Sequence, residues 1–139
     1  MHTSDAIQSA RSLLKGRSLL KMSDLSAGEL RTVLLQAGRL KRASAEGKLT
    51  PILEGRTLAL IFEKPSLRTR VTFEVAMTRL GGRSICLAPA DIQLGKRESV
   101  EDVSRSLSRW VDGIAARTFA HDTVVRLADS GSIPVVNAL

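Results

Sequence analysis

Leu58-Ala59-Leu60-Ile61-Phe62-Glu63-Lys64-Pro65-Ser66-Leu67-Arg68-Thr69-Arg70 decides the fold. The apolar run from Leu58 to Phe62 shows almost no alternation. It predicts a strand from about Thr57 to Phe62 that is buried on both faces, and hence a parallel sheet under helices. Beyond Pro65 the pattern turns helical. A strand feeding such a helix puts unpaired backbone N–H groups and the positive end of the helix dipole at the sheet edge, where an anion is stabilised. Ser66 and Thr69 add hydroxyls, and Arg68 and Arg70 add guanidinium forks suited to phosphate oxygens. The competing reading of this spacing is an ordinary helix start, with Ser66 as N-cap and both arginines solvated.

Working outward, the helix from about Arg68 to Leu80 carries Val71, Val75 and Thr78 on one stripe and Phe73, Ala76, Met77 and Leu80 on a second. That predicts a broad, well-buried helix, closed by a left-handed cap at Gly81-Gly82. Arg70 and Glu74 are spaced to pair along it, in the weaker orientation. A strand follows at about Ser84 to Ala88, then a polar loop from Pro89 to Glu98. Ser99 and Asp102 cap a helix whose stripe is Val100, Val103, Leu107, Trp110 and Val111, which places Trp110 in the core. Further strands at about Gly113 to Thr118 and Ile133 to Asn137 enclose a helix at about Asp122 to Ala128. Upstream, Ser26 and Glu29 form a capping box ahead of Leu30, Val33, Leu34, Ala37 and Leu40 on one helical face. The opposite face, with Arg31, Arg39, Lys41, Arg42 and Lys48, reads as solvated. Residues 1–16 read as an N-terminal extension with a short helix through Ala6, Ile7, Ala10, Leu13 and Leu14. Its basic, serine-containing character is slightly like a transit peptide, but Asp5 and its short reach argue against that role. The whole is an α/β fold, an open doubly wound parallel sheet of about four strands flanked by helices, in one domain over residues 1–139. Ligands of such sheets bind beyond the carboxyl ends of the strands, where Phe62 to Arg70, Arg117 and Asn137 fall.

Composition narrows the function. The chain of 139 residues carries a net charge of +7. The excess is N-terminal, with nine Lys/Arg against four Asp/Glu in residues 1–50 and twelve against ten in residues 51–139. With no Tyr, one Trp and three Phe, the chain lacks the stacking platforms of single-strand binders and any zinc-finger or basic-zipper spacing, which argues against nucleic acid as a partner. No apolar run approaches the roughly 20 residues that cross a bilayer, so no membrane role is expected. Cys86 is the only cysteine. It excludes an intramolecular disulfide, points to a reducing, cytoplasmic setting, and reads as a buried inert thiol. His2 and His121 have no ligand cluster around them, and no metal site is expected.

Phe62 to Arg70, with Phe73-Glu74 and Leu80-Gly81-Gly82, resembles the carbamoyl-phosphate signature Ser-Thr-Arg-Thr-Arg of the aspartate and ornithine carbamoyltransferase family. The Phe-Glu-Lys lead-in is most similar to the ornithine branch. Gln93-Leu94-Gly95-Lys96-Arg97-Glu98-Ser99 resembles the loop that, in these trimeric enzymes, reaches into the neighbouring subunit's active site. Ala116-Arg117-Thr118-Phe119 resembles the strand end whose arginine binds carbamoyl phosphate. Its Phe again favours the ornithine branch. The match runs from about Leu14 to Leu139.

The resemblance implies that Ser66, Arg68, Thr69 and the backbone N–H of Leu67 hold the phosphate. It further implies that Arg117 contacts the carbamoyl carbonyl and a phosphate oxygen, and that Gln93 acts from the adjacent protomer of a homotrimer. Arg68 and Arg117 would be the catalytic pair, as fixed cations facing charge that grows on the carbonyl oxygen and then on departing phosphate. Neither a metal nor an organic cofactor is implied. Leu67 stands where the family more usually has Thr, so one hydroxyl is lost while the amide survives. Glu98 fits either an orienting role towards an active-site arginine or a helix N-terminal charge interaction. The family's His-Pro-x-Gln motif and its amino-acid-binding domain have no counterpart in these residues. The expectation is therefore the carbamoyl-phosphate-binding half of an ornithine carbamoyltransferase, inactive by itself. Alternatives are a domain serving another amine acceptor, such as aspartate, putrescine or acetylornithine, and a non-catalytic module that assembles through the family's trimer surface.

Overall fold

The computed structural model describes residues 14–139, and the helix expected in the N-terminal extension falls outside them apart from its last positions. A 3-10 turn at Met22–Asp24 precedes α1 (Ala27–Ala45), β1 (Thr57–Phe62), α2 (Leu67–Arg79), β2 (Arg83–Leu87) and a single-turn helix α3 (Pro89–Ile92). Then come α4 (Val100–Leu107), β3 (Gly113–Arg117), α5 (His121–Ser130) and β4 (Val135–Asn137). The strands are all parallel, in the order β2-β1-β3-β4. The chain moves from β1 to β2 on one side and then places β3 on the other, so the order reverses between β1 and β3. Their pairing ends with Phe62 opposite Arg117, which sets both strand ends at the point where open α/β sheets take ligands.

The non-alternating run behaves as its sequence requires: Ala59, Leu60, Ile61 and Phe62 are all buried. Successive side chains of a strand point to opposite faces, and two cores result. On one face Ala59, Ile61, Ile114, Ala116 and Val135 pack under α4 and α5, which contribute Val100, Val103, Leu107, Val124 and Leu127. On the other face Leu60, Phe62 and Ala115 pack with Phe73 of α2 and with Cys86. The thiol is half-buried rather than fully enclosed. At the far end of the sheet, Asp112 accepts the Thr57 N–H at 2.8 Å and pairs with Arg56.

Two further expectations are corrected. α2 is not well buried: among its residues only Met77 is buried, and Val71 and Val75 are each 44% exposed. A single small sheet face cannot cover both of its apolar stripes, so the Phe73 and Met77 side packs and the other lines a groove against α1, with Leu40 and Ala37 opposite Val71 and Val75. Trp110 is 73% exposed, not core. α4 stops at Leu107 and residues 108–110 form a turn, so the helical register that would have aimed Trp110 inward is lost before it, while Val111 still enters the core.

α1 has the expected capping box between Ser26 and Glu29, yet none of its residues is buried. Arg17 pairs with Glu29 and donates to the Asp24 carbonyl at 2.8 Å. Residues ahead of it also extend the sheet. Leu19 bridges Val136 in parallel, donating to the Val135 carbonyl at 2.8 Å and accepting from the Asn137 N–H at 2.9 Å.

Candidate functional site

The site is built where β1 and β3 end. Past Phe62 the chain bends at Glu63 and Lys64 and enters α2 through Pro65 and Ser66. Ser66 occupies the N-cap position with extended backbone, but its hydroxyl makes no capping bond. Instead it accepts from Arg117 Nη1 at 2.8 Å, and the same nitrogen lies 3.3 Å from Thr69 Oγ1. The ordinary-cap reading of Ser66 therefore fails. The helix keeps its first-turn N–H groups without a side-chain cap, at the positive end of its dipole. Arg117 Nε is buried and has no hydrogen-bond partner among the described residues. A half-buried guanidinium with its buried Nε–H unpartnered among the described residues, beside two hydroxyls and a helix N-terminus, is a donor-rich cradle for an oxyanion.

Of the residues singled out in the sequence, Ser66, Thr69 and Arg117 are brought into contact. Leu67 and Arg68 lie on the same first turn and are exposed, Leu67 by 79%. Arg68's side chain has no hydrogen bond or ion pair with a described residue, and its carbonyl accepts from the Thr72 hydroxyl. Arg70 is committed elsewhere. Its Nε donates to Glu74 at 2.9 Å, and that bond raises its pKa above the ordinary arginine value. Gln93 is exposed, with a left-handed φ of 42°. It lines a cavity of about 280 Å³ that Glu63, Lys96 and Phe119 of the same chain also line. Its carbonyl accepts from the N–H groups of Lys96 and Arg97, which folds the loop on itself. Asn137, at the same edge, has its side-chain amide occupied by the Leu20 carbonyl and the Leu139 N–H. Ser99 and Asp102 cap α4 as expected.

Sequence reasoning passed over Glu63. Its N–H donates to the Arg117 carbonyl at 2.9 Å and its carboxylate accepts from the Phe119 N–H at 2.8 Å. Lys64 Nζ sits 5.4 Å from the centre of the Phe119 ring. The available signal was a lone acid opening the basic stretch from Lys64 to Arg70. Among the described residues no group of three His, Cys, Asp or Glu is placed to hold a metal ion, and no helix is long and apolar enough to cross a membrane.

Fold and site together define an open parallel α/β domain with a donor-rich cradle at the β1/β3 switch point. A family model described as aspartate/ornithine carbamoyltransferase, carbamoyl-P binding domain, matches residues 17–139. The chain belongs to the aspartate/ornithine carbamoyltransferase family, within that domain. It is 47% identical over 126 residues to the ornithine carbamoyltransferase of Halalkalibacterium halodurans, covering 91% of this chain and 40% of that protein. Among solved structures it resembles ornithine carbamoyltransferase from Pyrococcus furiosus, with a TM-score of 0.89 and 48% identity over 91% of this chain and 40% of that one. It also resembles aspartate transcarbamoylase from Trypanosoma cruzi in complex with carbamoyl aspartate and phosphate, with a TM-score of 0.82 and 27% identity over 91% and 41% of the two chains. The chain thus spans about 40% of the length of the curated relatives it matches.

Proposed function

We propose that these residues are the carbamoyl-phosphate-binding half of an ornithine carbamoyltransferase, which makes citrulline and phosphate from ornithine and carbamoyl phosphate. The observation that carries the reading is the convergence of Arg117 on Ser66 and Thr69 at the uncapped start of α2. The higher identity to ornithine carbamoyltransferases than to aspartate transcarbamoylase, 47–48% against 27%, supports ornithine over aspartate as acceptor.

The chemistry follows from the charge that must be held. Carbamoyl phosphate is an anion, and the α2 amides, Ser66, Thr69 and Arg68 receive its phosphate oxygens. Arg117 Nε, already desolvated and unpartnered, donates towards the carbamoyl carbonyl or a phosphate oxygen. As the neutral amine of the acceptor attacks the carbamoyl carbon, negative charge builds on the carbonyl oxygen and then passes to phosphate as the C–O bond breaks. Fixed donors stabilise that charge without reorganising, and losing one typically costs about 2.7–4 kcal/mol of transition-state stabilisation. Gln93 serves the site of an adjacent protomer in a homotrimer. The setting is cytoplasmic arginine biosynthesis. The acceptor is bound by a domain with no counterpart in these residues, so the chain alone binds carbamoyl phosphate and turns over negligibly.

Citrulline formation by the purified chain, with ornithine and carbamoyl phosphate supplied, tests the division of labour. No citrulline above the uncatalysed background is expected, and enzyme-like rates would contradict it. Sedimentation equilibrium tests the assembly, where a trimer is expected and a strict monomer at high concentration would contradict it.

A further inference from the structure

We propose that Glu63 is a positioning residue of this site, one that sets where Arg117 stands without touching the anion. The inference rests on the functional reading above. Pairing between β1 and β3 runs to Phe62 opposite Arg117 and continues with the Glu63 N–H donating to the Arg117 carbonyl at 2.9 Å. In a parallel ladder the next rung would join the Phe119 N–H to the Glu63 carbonyl. Here the Phe119 N–H donates instead to Glu63 Oε2 at 2.8 Å. The main chain bends away at Glu63 and Lys64 to enter α2, and the side chain stands in for the carbonyl that has left.

One residue therefore holds the backbone on both sides of Thr118, including the carbonyl of Arg117 itself. Thr118 is 3% exposed and its hydroxyl donates to the Ala120 carbonyl at 2.7 Å, so the turn between these anchors is closed as well. The charge balance points the same way. A carboxylate next to Lys64, on a strand end that pairs with Arg117, opposes an incoming anion unless it is turned aside. Glu63 reaches the Phe119 amide, while the Arg117 guanidinium goes to Ser66 and Thr69. The carboxylate thus fixes the turn after β3 and leaves that guanidinium facing the cradle.

The test compares Glu63→Ala, which removes the anchor, with Glu63→Gln, which keeps a carbonyl oxygen at the same reach, and uses Arg117→Ala as reference. Hydrogen exchange of the Phe119 amide is read by NMR, and carbamoyl phosphate affinity by calorimetry. In Glu63→Ala the amide should lose protection and affinity should fall about tenfold, equivalent to about 1.4 kcal/mol. Glu63→Gln should restore both. Glu63→Ala binding like the parent while Arg117→Ala does not would overturn the positioning role and leave the site intact. Glu63→Gln as weak as Glu63→Ala would also overturn it, because an oxygen at the same reach would then fail to replace the anchor. Arg117→Ala binding like the parent would overturn the functional reading itself, and this inference with it.

Discussion

Among the described residues three serines begin helices, and replacing each by Ala separates capping from ligand binding. Ser26 Oγ accepts from the Glu29 N–H at 3.3 Å and Ser99 Oγ from the Asp102 N–H at 3.0 Å. Loss of either cap should destabilise the fold by about 1 kcal/mol. Ser66 has no such bond, because its hydroxyl faces Arg117. In Ser66→Ala, Arg117 keeps Thr69 as a partner, so the ligand-free domain should lose under about 0.5 kcal/mol, less than a cap is worth. Binding should respond in the opposite order. A hydroxyl donating to a phosphate oxygen contributes about 1.5–3 kcal/mol, which predicts carbamoyl phosphate bound roughly 10- to 150-fold more weakly by Ser66→Ala. Ser26→Ala and Ser99→Ala should bind like the parent. Urea denaturation and calorimetric titration of the same samples give both numbers. Ser66→Ala as unstable as Ser99→Ala but with unchanged affinity would refute the reasoning, since Ser66 would then be an ordinary cap.

Leu60, fully buried in the sheet, should cost about 2–5 kcal/mol when cut to Ala, whereas Trp110→Ala, at a site 73% exposed, should change urea stability by no more than about 0.5 kcal/mol. Gly81 has φ +85° and a Cβ there would meet Pro51 Cβ at 2.6 Å, so Gly81→Ala should destabilise by more than about 1 kcal/mol, read as a lower denaturation midpoint. The Asp112 carboxyl is held below its ordinary pKa, first by the Thr57 N–H and then by Arg56. A depressed folded value means that its stabilisation is complete above the unfolded value of about 3.9 and is lost as pH falls through the lower folded value. Stability measured across that window should fall more steeply in the parent than in Asp112→Asn, and parallel curves would remove Asp112 from the account.

Much of this architecture is legible in the residues alone. The unbroken apolar run from Leu58 to Phe62 has only one good home, a central parallel strand. The capping pairs at Ser26 and Ser99 are local signals that the helices obey. Ser66, Thr69 and Arg117 were each identifiable from motifs. That Ser66 gives its hydroxyl to Arg117 rather than to its own helix was not, because the choice depends on a strand 51 residues away in sequence. Glu63 escaped for the same reason, its partner lying 56 residues on. Trp110 was misplaced because helical periodicity says nothing of where a helix stops. The stripe of Val71 and Val75 was misplaced because an apolar face shows a need for cover, not that the cover lies within these residues. The pairing of Leu19 with the β4 edge left no pattern at all, since single-bridge pairing is set by docking rather than alternation.

Calorimetric titration of carbamoyl phosphate into this chain and into its Arg68→Ala variant addresses the central claim most directly. Arg68 is exposed on the first turn of α2 and bonds no described residue through its guanidinium, so its removal should leave the fold untouched while taking away a phosphate contact. The account predicts saturable binding by the parent, weakened at least tenfold in Arg68→Ala, about the worth of one charged hydrogen bond. Equal binding by both, or no binding by the folded parent, would contradict it.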